Sequence, residues 1–520
     1  MAQSLECVKK NSVITGWDFS TGGVKCLAFD VEGRVLAEVR LPTDLWFGDS
    51  PKTGIRELNL MQLEGQAFAS VRAIAKALDE AGLLNRWIAG GISATHHTAG
   101  RIDANGNQIR RAICWNDATL AEYHAVGLER LGGQEKVQEL IGGPWAIRYS
   151  LSHLVKDEST LAEADWKRTY RILPHGALAA GYLTGNFDVC SVSVAASTGI
   201  MDLRSRKWCR EMLGALENET YRQLAWKQLP KIIPQYTPVG PLNDAMAAVA
   251  GIRGKNRPLI FPTSDDQQAG LVGGGAVDAG QVAVILGNSA VVNSSSAERP
   301  TSGELDVMRL NWGPYLWMRC YNNGAQFLDK VVGPNPDWAA LEKAAEAVAP
   351  GTNGTLVMPF VNPEPSRGIS LKQAKVRWLP KKPRSAGEQF RAALEAIAYL
   401  IAMAVEEHEA AGQNIKRITV SGGIARSNLM CRILASVLDK PLVRLESEEG
   451  PALGAAVTAL AAIESHLRKE KQIRKRFTVG DAVEIMVRFR DTVEPTPEWT
   501  AVYRKGLAEF RKQVAVLAKS

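Results

Sequence analysis

Alternation between apolar and polar positions marks the first part of the chain. The segments "SVITGWDF", "VKCLAFD" and "RVLAEVR" each have the period of a β-strand, and the turns "STGG" and "VEG" separate them. In "LMQLEGQAFASVRAIAKALDEAG" the period changes, because apolar residues return every three or four positions until Gly82. This spacing predicts an amphipathic helix whose buried face carries Leu60, Leu63, Phe68, Val71, Ile74 and Leu78. The next segment, "WIAGGISA", returns as a strand.

The opening pattern comes back near the middle of the chain. From residue 281, "QVAVILGNSAVVNSSS" has the pattern of a strand, a G-x-S turn and a second strand, like the first hairpin. Later segments predict the helices "GEQFRAALEAIAYLIAMAVEEHEAAG", "RSNLMCRILASVLD" and "PALGAAVTALAAIESHLRK", the strand "RITVSGG", and a terminal helix with Trp499, Tyr503, Leu507 and Phe510 at helical spacing. Two α/β domains with a cleft between them are the economical interpretation.

Composition and charge narrow the class of protein. The 520 residues are 46% hydrophobic and 22% charged, which is typical of a folded globular protein with more than one core. The net charge of +7 is small, and its densest part is "LRKEKQIRKR", which we expect to be a solvated helical face. Nucleic-acid or membrane binding is the alternative for this run, but no aromatic-interleaved basic stripe accompanies it. A modest basic excess suits an anionic substrate.

Cysteine usage and apolar runs indicate the compartment. The seven cysteines show no C-x-x-C pair and are odd in number, which favours reduced thiols in a cytoplasm over disulfides or a zinc site. The start "MAQSLECVKKNSV" has no apolar run after its charges, so we expect no signal peptide. The longest apolar stretches are shorter than the roughly 20 residues that a membrane span needs, and we expect buried helices there.

Three glycine turns are candidates for phosphate binding. In "STGGVK", "LGNSAV" and "SGGIARSN" the glycines let backbone N–H groups approach an anion closely, and small hydroxyl side chains add donors. Each turn alone is a weak signal, but two of them occupy corresponding places in the two halves. The sequence contains no Walker motif, no protein-kinase motif and no G-x-G-x-x-G after a strand. A nucleoside triphosphate would therefore have to be bound by the paired hairpins.

Acidic residues and histidines near strand ends are the candidates for chemistry. Asp18 lies inside an apolar strand, where a carboxylate needs either a hydrogen-bonding partner or a metal ion. Asp117 follows "CWN", and Asp265 and Asp266 are adjacent ahead of a glycine run. The pair His96 and His97 follows a strand end, where α/β folds place ligands, although adjacent histidines are more often solvated or structural.

These segments, taken in order, resemble the FGGY family of carbohydrate kinases, and within it the xylulose kinases are the most similar. The resemblance runs through "GWDFSTGGVKCLAFDVEGRV", "GISATHHTAGRID", "AICWND", "DDQQAGLVGGGAVDAGQVAVILGNSAVV", "SGGIARSN" and "GPALGAA". It implies an α/β fold of two actin-like ATPase (RNase H-like) domains around a catalytic cleft. The sugar-binding domain would comprise residues 1–271, and the nucleotide-binding domain, with a C-terminal helical extension, residues 272–520.

The resemblance also implies an activity and its site residues. The γ-phosphate of Mg-ATP would be transferred to a hydroxyl group of a ketose, with D-xylulose as first choice, so ATP and Mg²⁺ are the expected cofactors. The nucleotide-binding positions fall on Ser20, Thr21, Gly22, Gly23, Gly287, Asn288, Ser289, Gly422, Gly423 and Asn428. The sugar-binding positions fall on His96, His97, Asn116, Asp117, Asp266 and Gln267. The metal-side acids fall on Asp18 and Asp266, and Asp266 is also the expected catalytic base.

Some positions depart from the family pattern and leave alternatives open. Asp265 stands where glycine is usual, and we expect a solvated neighbour of Asp266; the alternative is that its charge raises the pKa of Asp266. Thr95, His96 and His97 replace Gln-Met-His, Ala118-Thr119 replaces Gly-Arg and so removes a cation, and Asn288 replaces threonine. The same chemistry on ribulose, a hexulose or glycerol, or a non-catalytic sugar and nucleotide sensor, are therefore alternatives. We expect neither a nucleic-acid nor a membrane partner, and a homodimer is left open.

Overall fold

Two structural units make up the computed structural model, which describes residues 3–262, 264–301, 305–447 and 449–519. The first unit comprises Met1–Gly273, Val307–Leu316 and Pro451–Val487. The second comprises Gly274–Asp306, Trp317–Gly450 and Arg488–Ser520. The single boundary between residues 271 and 272 that the sequence suggests thus lies beside Gly273, and two later segments return to the first unit.

The first unit is built on two sheets. Its main sheet contains the strands Gly240–Pro241, Leu259–Ile260, Trp87–Ala94, Val13–Phe19, Gly23–Asp30 and Val35–Pro42 in that order, and Ser264–Asp265 also pairs with Trp87–Ala94. The first three strands along the chain form the predicted meander, while Val13–Phe19 and Trp87–Ala94 run parallel. The second sheet contains Leu45–Trp46, Glu57–Leu58, Gln108–Ile113, Ala99–Ile102 and Arg171–Pro174.

Helices cover the sheets of the first unit. Their bounds are Leu60–Glu80, Leu120–Arg130, Gln134–Ile141, Ser150–Thr160, Glu163–Arg168, His175–Thr184, Val192–Ala196, Glu219–Gln228, Asp244–Val249, Asp266–Gly273, Gly450–Glu470 and Val479–Met486. Two small strand pairs, Val189–Ser191 with Lys231–Ile233 and Met201–Asp202 with Lys207–Trp208, complete this unit.

The second unit repeats the arrangement of a sheet with helices. Its sheet contains the strands Tyr315–Tyr321, Ala290–Ser296, Gln281–Leu286, Arg417–Ser421, Leu442–Leu445 and Phe489–Val493 in that order, and Leu356–Pro359 pairs separately with Val376–Leu379. Its helices are Ala325–Val332, Trp338–Glu346, Ala386–Ala410, Asn428–Leu438 and Pro497–Lys519. The helix Ala386–Ala410 is buried along most of its length, and Tyr503 and Phe510 of the terminal helix belong to the same core.

The predicted hairpins and helices are confirmed, with one correction in the first long helix. Leu60, Leu63, Val71, Ile74 and Leu78 are buried as expected, whereas Phe68 is 39% exposed. Phe68 lies at the edge of the apolar face, and the period alone does not tell which edge the rest of the unit covers. In the part of the chain that the structure describes, no helix is both long and apolar enough to cross a membrane.

Glycines bring one helix into direct backbone contact with the main sheet. Gly16 and Gly91 lie side by side on neighbouring strands. A Cβ atom on Gly16 would lie 1.9 Å from the carbonyl oxygen of Ala452, and one on Gly91 would lie 2.0 Å from that of Ala455. Both carbonyls belong to the helix Gly450–Glu470. Because any side chain at either glycine would occupy the space of a carbonyl group, the helix can approach the strands this closely only where Cβ is missing.

The same helix contacts the short helix Asp266–Gly273 through a third glycine. A Cβ atom on Gly454 would lie 1.9 Å from the carbonyl oxygen of Ala269. The helix Gly450–Glu470 therefore fixes the distance between the main sheet and the helix that begins at Asp266.

We expect Gly454→Ala to destabilise the first unit by about 1–3 kcal/mol, the usual cost of overpacking a core. Urea unfolding followed by tryptophan fluorescence measures the change. Gly65→Ala is the matched control, because Gly65 is an exposed helical position with nothing within 4 Å of an added Cβ. Alanine should stabilise that helix by roughly 0.5–1 kcal/mol. Equal unfolding midpoints for wild type and Gly454→Ala would contradict the close contact.

Candidate active site

Three parallel strands of the first unit end at the same edge of the main sheet. Asp18 pairs in register with Ser93, and Ser264 and Asp265 pair with Ser93 and Ala94. Because the carboxyl ends of parallel strands carry the loops that bind ligands in α/β folds, the residues that follow these strands are the candidates for the site. They include His96, which follows Ala94, and Asp266, which follows Asp265.

Asp265 is the N-cap of the helix Asp266–Gly273 and is not solvated. Its side chain is 1% exposed, and its Oδ1 atom accepts hydrogen bonds from the backbone N–H groups of Gln267 (3.0 Å) and Gln268 (2.9 Å). The Ser193 hydroxyl donates to Oδ2 and accepts from the Asp265 backbone N–H at 3.0 Å. The expectation of a solvated neighbour is therefore wrong, because the first turn of the helix needs a side-chain acceptor at this position.

A buried polar network supports the cap. The Asn311 backbone N–H donates to Oε1 of Gln268 at 2.7 Å, and the Asn311 side-chain carbonyl accepts from the Ser193 backbone N–H at 2.8 Å. Ser193, Gln268 and Asn311 are all at most 3% exposed. Sequence analysis missed Ser193 and Asn311, since each is distant from Asp265 along the chain and neither lies in a recognisable motif.

Asp266 is the first residue of the helix, and its surroundings disfavour the ionised form of its carboxyl group. Burial raises the pKa of Asp266 well above its usual range, and the charges of Asp265 and Asp18 raise it further. Backbone N–H groups of His96 and Gln267 act in the opposite direction. The Oδ1 atom is buried, and among the described residues it has no hydrogen-bonding partner. An acceptor of this kind suits a proton or a cation.

Asp18 is half-buried at the end of its strand, and the Ser93 hydroxyl donates to its Oδ1 atom at 2.8 Å. The hydrogen-bonded alternative for this acid is thus present, and the carboxylate still lies close enough to Asp266 to raise its pKa. Among the described residues, one group of possible metal ligands lies within 4.8 Å of one another, namely atoms of His96, Asp265 and Asp266. Because Oδ1 of Asp265 accepts two amide hydrogen bonds, its capacity for a cation is small, and Asp266 is the better oxygen ligand.

His96 and His97 form a stack of rings with Tyr149. The ring centroids of the histidines are 3.8 Å apart, and those of His97 and Tyr149 are 4.3 Å apart. His97 has a φ of 58°, and its Nδ1 atom lies 2.8 Å from the carbonyl oxygen of Ser197. Burial lowers the pKa of His97 well below its usual range, with the charges of His96 and Arg148 adding to the effect. The neutral ring donates from Nδ1, so Nε2 is a buried acceptor for a hydroxyl group.

Asn116 and Asp117 lie on a separate loop of the first unit. Asn116 is exposed, while Asp117 is 3% exposed and accepts from the backbone N–H groups of Arg56 and Thr119, both at 2.9 Å. Lys156 donates to the Thr119 hydroxyl at 2.8 Å, and its Nζ atom is 3.9 Å from Oδ1 of Asp117. Lys156 thus places a cation beside the loop in which Thr119 stands where the family pattern has arginine. The sequence around Lys156 does not indicate this contact.

The turn of the first hairpin has an open tip. The Ser20 hydroxyl donates to the carbonyl oxygen of Gly23 at 2.8 Å, and the backbone N–H groups of Gly22 and Gly23 point towards that hydroxyl at 3.4 and 3.2 Å. Thr21 lies between Ser20 and Gly22 in the chain, and a Cβ atom on Gly22 would meet nothing within 4 Å. The tip therefore leaves room for an anion to reach the backbone, as a phosphate-binding turn requires.

The two glycine turns of the second unit are held by close backbone contacts. The carbonyl oxygens of Gly287 and Asn288, in the turn completed by Ser289, accept from Ala325 (2.9 Å) and Gly324 (3.0 Å) at the start of a helix. Gly422 has a φ of 94°, and a Cβ atom there would lie 2.4 Å from the carbonyl oxygen of Leu286. Only glycine is accommodated at this position.

The end of the third turn remains accessible. A Cβ atom on Gly423 would meet nothing within 4 Å. Asn428 begins the following helix, is exposed, and accepts from Arg444 at 2.5 Å through its Oδ1 atom. Open glycine N–H groups next to a helix start are a suitable surface for an anionic or polar ligand.

Comparisons with known proteins agree with this architecture. The N-terminal domain model of the FGGY family of carbohydrate kinases matches residues 13–273, and the C-terminal domain model matches residues 324–463. Xylulose kinase of Escherichia coli (strain K12) is 27% identical over 462 residues, which cover 86% of this chain and 89% of that protein.

Solved structures of low sequence identity share the fold. A ligand-bound xylulose kinase and a gluconate kinase, both from Lactobacillus acidophilus, each superpose with a TM-score of 0.83 at 18% identity over 98% of this chain and 99% of their own. The predicted mixed α/β sugar-kinase fold is confirmed. Since the two family models together match well over half of the chain, it belongs to the FGGY family of carbohydrate kinases, enzymes that use ATP to phosphorylate sugars.

Proposed function

We propose that the protein transfers the γ-phosphate of ATP to a hydroxyl group of a ketose, with D-xylulose to D-xylulose 5-phosphate as the first choice, and that Asp266 is the general base. The observation that carries this proposal is the buried Oδ1 atom of Asp266 at the start of a capped helix, which has no hydrogen-bonding partner in the part of the chain that the structure describes. The xylulose kinase relative at 27% identity supports the choice of sugar. A cytoplasmic location and a homodimer stay predictions.

Asp266 would act at the moment when the hydroxyl oxygen attacks the γ-phosphorus. A new P–O bond forms to the sugar, the bond from the γ-phosphorus to the bridging oxygen of ADP breaks, and the hydroxyl proton moves to Oδ1 of Asp266. A raised pKa makes the carboxylate a stronger base than an ordinary aspartate. Asp265 holds the first turn of the helix, and with it the backbone of Asp266, in place.

The remaining predicted residues would bind the two substrates. Nε2 of His97, with Asn116, Asp117, His96 and Gln267, would contact sugar hydroxyl groups. The N–H groups at Ser20, Thr21, Gly22 and Gly23 of the first unit, and the turns at Gly287, Asn288, Ser289, Gly422, Gly423 and Asn428 of the second, would bind the nucleotide.

The carboxylates fit Mg²⁺, which prefers oxygen ligands and keeps several of its waters. Asp18 and Asp266 would hold the ion, directly or through those waters. When bound, Mg²⁺ neutralises charge on the phosphate oxygens. The unpartnered oxygen of Asp266 and the mutual repulsion of the acids are the observations that support this fit.

The first test measures ADP release from Mg-ATP with D-xylulose, D-ribulose, a hexulose, gluconate and glycerol. We expect the highest kcat/KM with D-xylulose, and a loss of about 100-fold or more in kcat for Asp266→Asn, which cannot accept the proton. Asp79→Asn, an exposed acid in the helix Leu60–Glu80, is the control and should behave as wild type. Faster turnover of another compound would identify that compound as the substrate in place of D-xylulose. Nucleotide binding without any turnover would favour a sensor.

The raised pKa of Asp266 also predicts a gain in stability for Asp266→Asn. A carboxyl group whose pKa is raised on folding destabilises the folded state progressively as pH rises above the unfolded value near 3.9, and fully above the raised pKa. In buffer without nucleotide and metal at pH 8, we expect Asp266→Asn to melt a few degrees above wild type. The difference should shrink towards pH 4. A lower melting temperature at pH 8 would show that the carboxylate is satisfied when ionised.

Two substitutions of Asp265 distinguish its role as a helix cap from the effect of its charge. Asp265→Ala removes the acceptor for two N–H groups and leaves the Ser193 hydroxyl without its partner, so we expect a loss of about 1–3 kcal/mol and a lower kcat. Asp265→Asn keeps a capping oxygen and should retain most of the stability and turnover. Urea unfolding and steady-state kinetics on both variants give the answer. Equal stability of Asp265→Ala and wild type would exclude the capping role.

A further inference from the structure

The basic run "LRKEKQIRKR" does not form the solvated helical face that its composition suggests. The helix Gly450–Glu470 ends inside it, and Gln472 adopts a φ of 60°. The chain then folds back, because the Ser465 hydroxyl donates to the carbonyl oxygen of Phe477 at 2.6 Å and accepts from its backbone N–H at 3.1 Å. Residues 471–476 therefore form a loop that is tied at its end to the last turns of the helix.

This loop and the helix end line an open cavity of about 280 Å³ within the first unit. Tyr236, from a distant part of the chain, also lines the cavity. Among the described residues, the lining consists of Tyr236, Ser465, His466, Arg468, Lys469, Gln472, Ile473, Arg474 and Arg476. Five of these nine residues carry or can carry a positive charge, and none is acidic.

Three of these five residues have interactions at the end of the helix. Arg468 is 1% exposed, pairs with Glu464 at 2.8 Å, and donates to the carbonyl oxygen of Ser4 at 2.8 Å. Arg468 and Lys469 also lie in the last turn of a helix, where cations interact favourably with the helix dipole. His466 is 3.4 Å from Glu470. None of these roles accounts for Arg474 and Arg476, which lie beyond the helix.

Arg474, Arg476 and Lys469 remain available to a ligand. All three are exposed, and in the described parts of the chain none has a carboxylate oxygen within 4.0 Å. The guanidinium of Arg476 lies over the ring of Tyr236, 4.6 Å from its centroid, which orients it. Burial raises the pKa of Tyr236 to about 12, so the phenol stays protonated and can donate a hydrogen bond.

We propose that this cavity binds a small organic phosphate monoester. The planar guanidinium groups of Arg474 and Arg476 can each donate two hydrogen bonds to phosphate oxygens, and Lys469 adds a positive charge. The cavity is several times larger than the roughly 30 Å³ that one water occupies in the liquid, so a bare phosphate ion would not fill it. Ile473 and the ring of Tyr236 provide apolar wall for the organic part of the ligand.

The test is calorimetric titration of the full chain with glycerol 3-phosphate at constant ionic strength. We expect one saturable site in wild type. Its affinity should fall about tenfold or more in the double variant Arg474→Ala, Arg476→Ala, which lacks both guanidinium groups. The control is Lys471→Ala, Lys475→Ala, which removes the same charge from the same loop at residues outside the cavity lining. Its affinity should stay within about twofold of wild type, because neither lysine side chain lines the cavity.

Three outcomes would overturn the proposal. Equal weakening in both double variants would indicate a diffuse attraction to a positive surface. Unchanged binding in Arg474→Ala, Arg476→Ala would place the ligand elsewhere, including at the kinase site. Tighter binding of inorganic phosphate than of the ester would exclude the organic class. Urea unfolding of both variants serves as a folding check, since exposed substitutions should change stability by less than about 0.5 kcal/mol.

Discussion

The first unit depends on the backbone contact between the helix Gly450–Glu470 and the main sheet. Gly16 and Gly91 leave a flat spot on two neighbouring strands, and carbonyl groups of the helix occupy the space where Cβ atoms would lie. Gly454 makes an equally close contact with the helix Asp266–Gly273. Backbone against backbone leaves no flexible side chain to absorb a shift. The position of Asp266 relative to the strand ends thus follows from three missing Cβ atoms.

At the edge of the main sheet, three neighbouring acids differ in how far their carboxylate oxygens are hydrogen-bonded. Asp265 has its lone pairs occupied by the helix cap and Ser193, and Asp18 accepts from Ser93. Asp266 keeps one buried oxygen that no described residue hydrogen-bonds, and it therefore bears the cost of burial and of the neighbouring charges, which is why its pKa rises. Adjacent residues of identical chemistry acquire distinct roles, because only one of them lies at the N-cap position. The catalytic role proposed for Asp266 would therefore come at a cost in stability.

The sequence predicted the local elements well and the site only in part. Strand and helix periods identified both hairpins and the long helices, because these patterns depend on neighbours along the chain. Phe68 was misplaced, since the period does not show which edge of an apolar face the fold covers. Asp265 was misjudged for a related reason: a cap can be recognised only when the start of the helix is known. Lys156, Ser193 and Asn311 reach their partners across distant parts of the chain, so no local pattern could have indicated them.

The helix Gly450–Glu470 also explains how an acidic cluster and a basic cavity coexist in one unit. Its first half carries small residues against the sheet, and its last turns carry Glu464, whose carboxylate accepts from the backbone N–H groups of Glu6, Cys7 and Val8. Gly454 and Lys469 are separated by about 22 Å along the axis, at 1.5 Å per residue. That distance exceeds the Debye length of roughly 8 Å at physiological salt. Cations at the end of the helix therefore contribute little to the field at its start, and the pKa of Asp266 is shifted by burial and by the charges of Asp265 and Asp18. The helix Gly450–Glu470 thus has the acids of the strand edge near its first half and the cations of the cavity at its last turn.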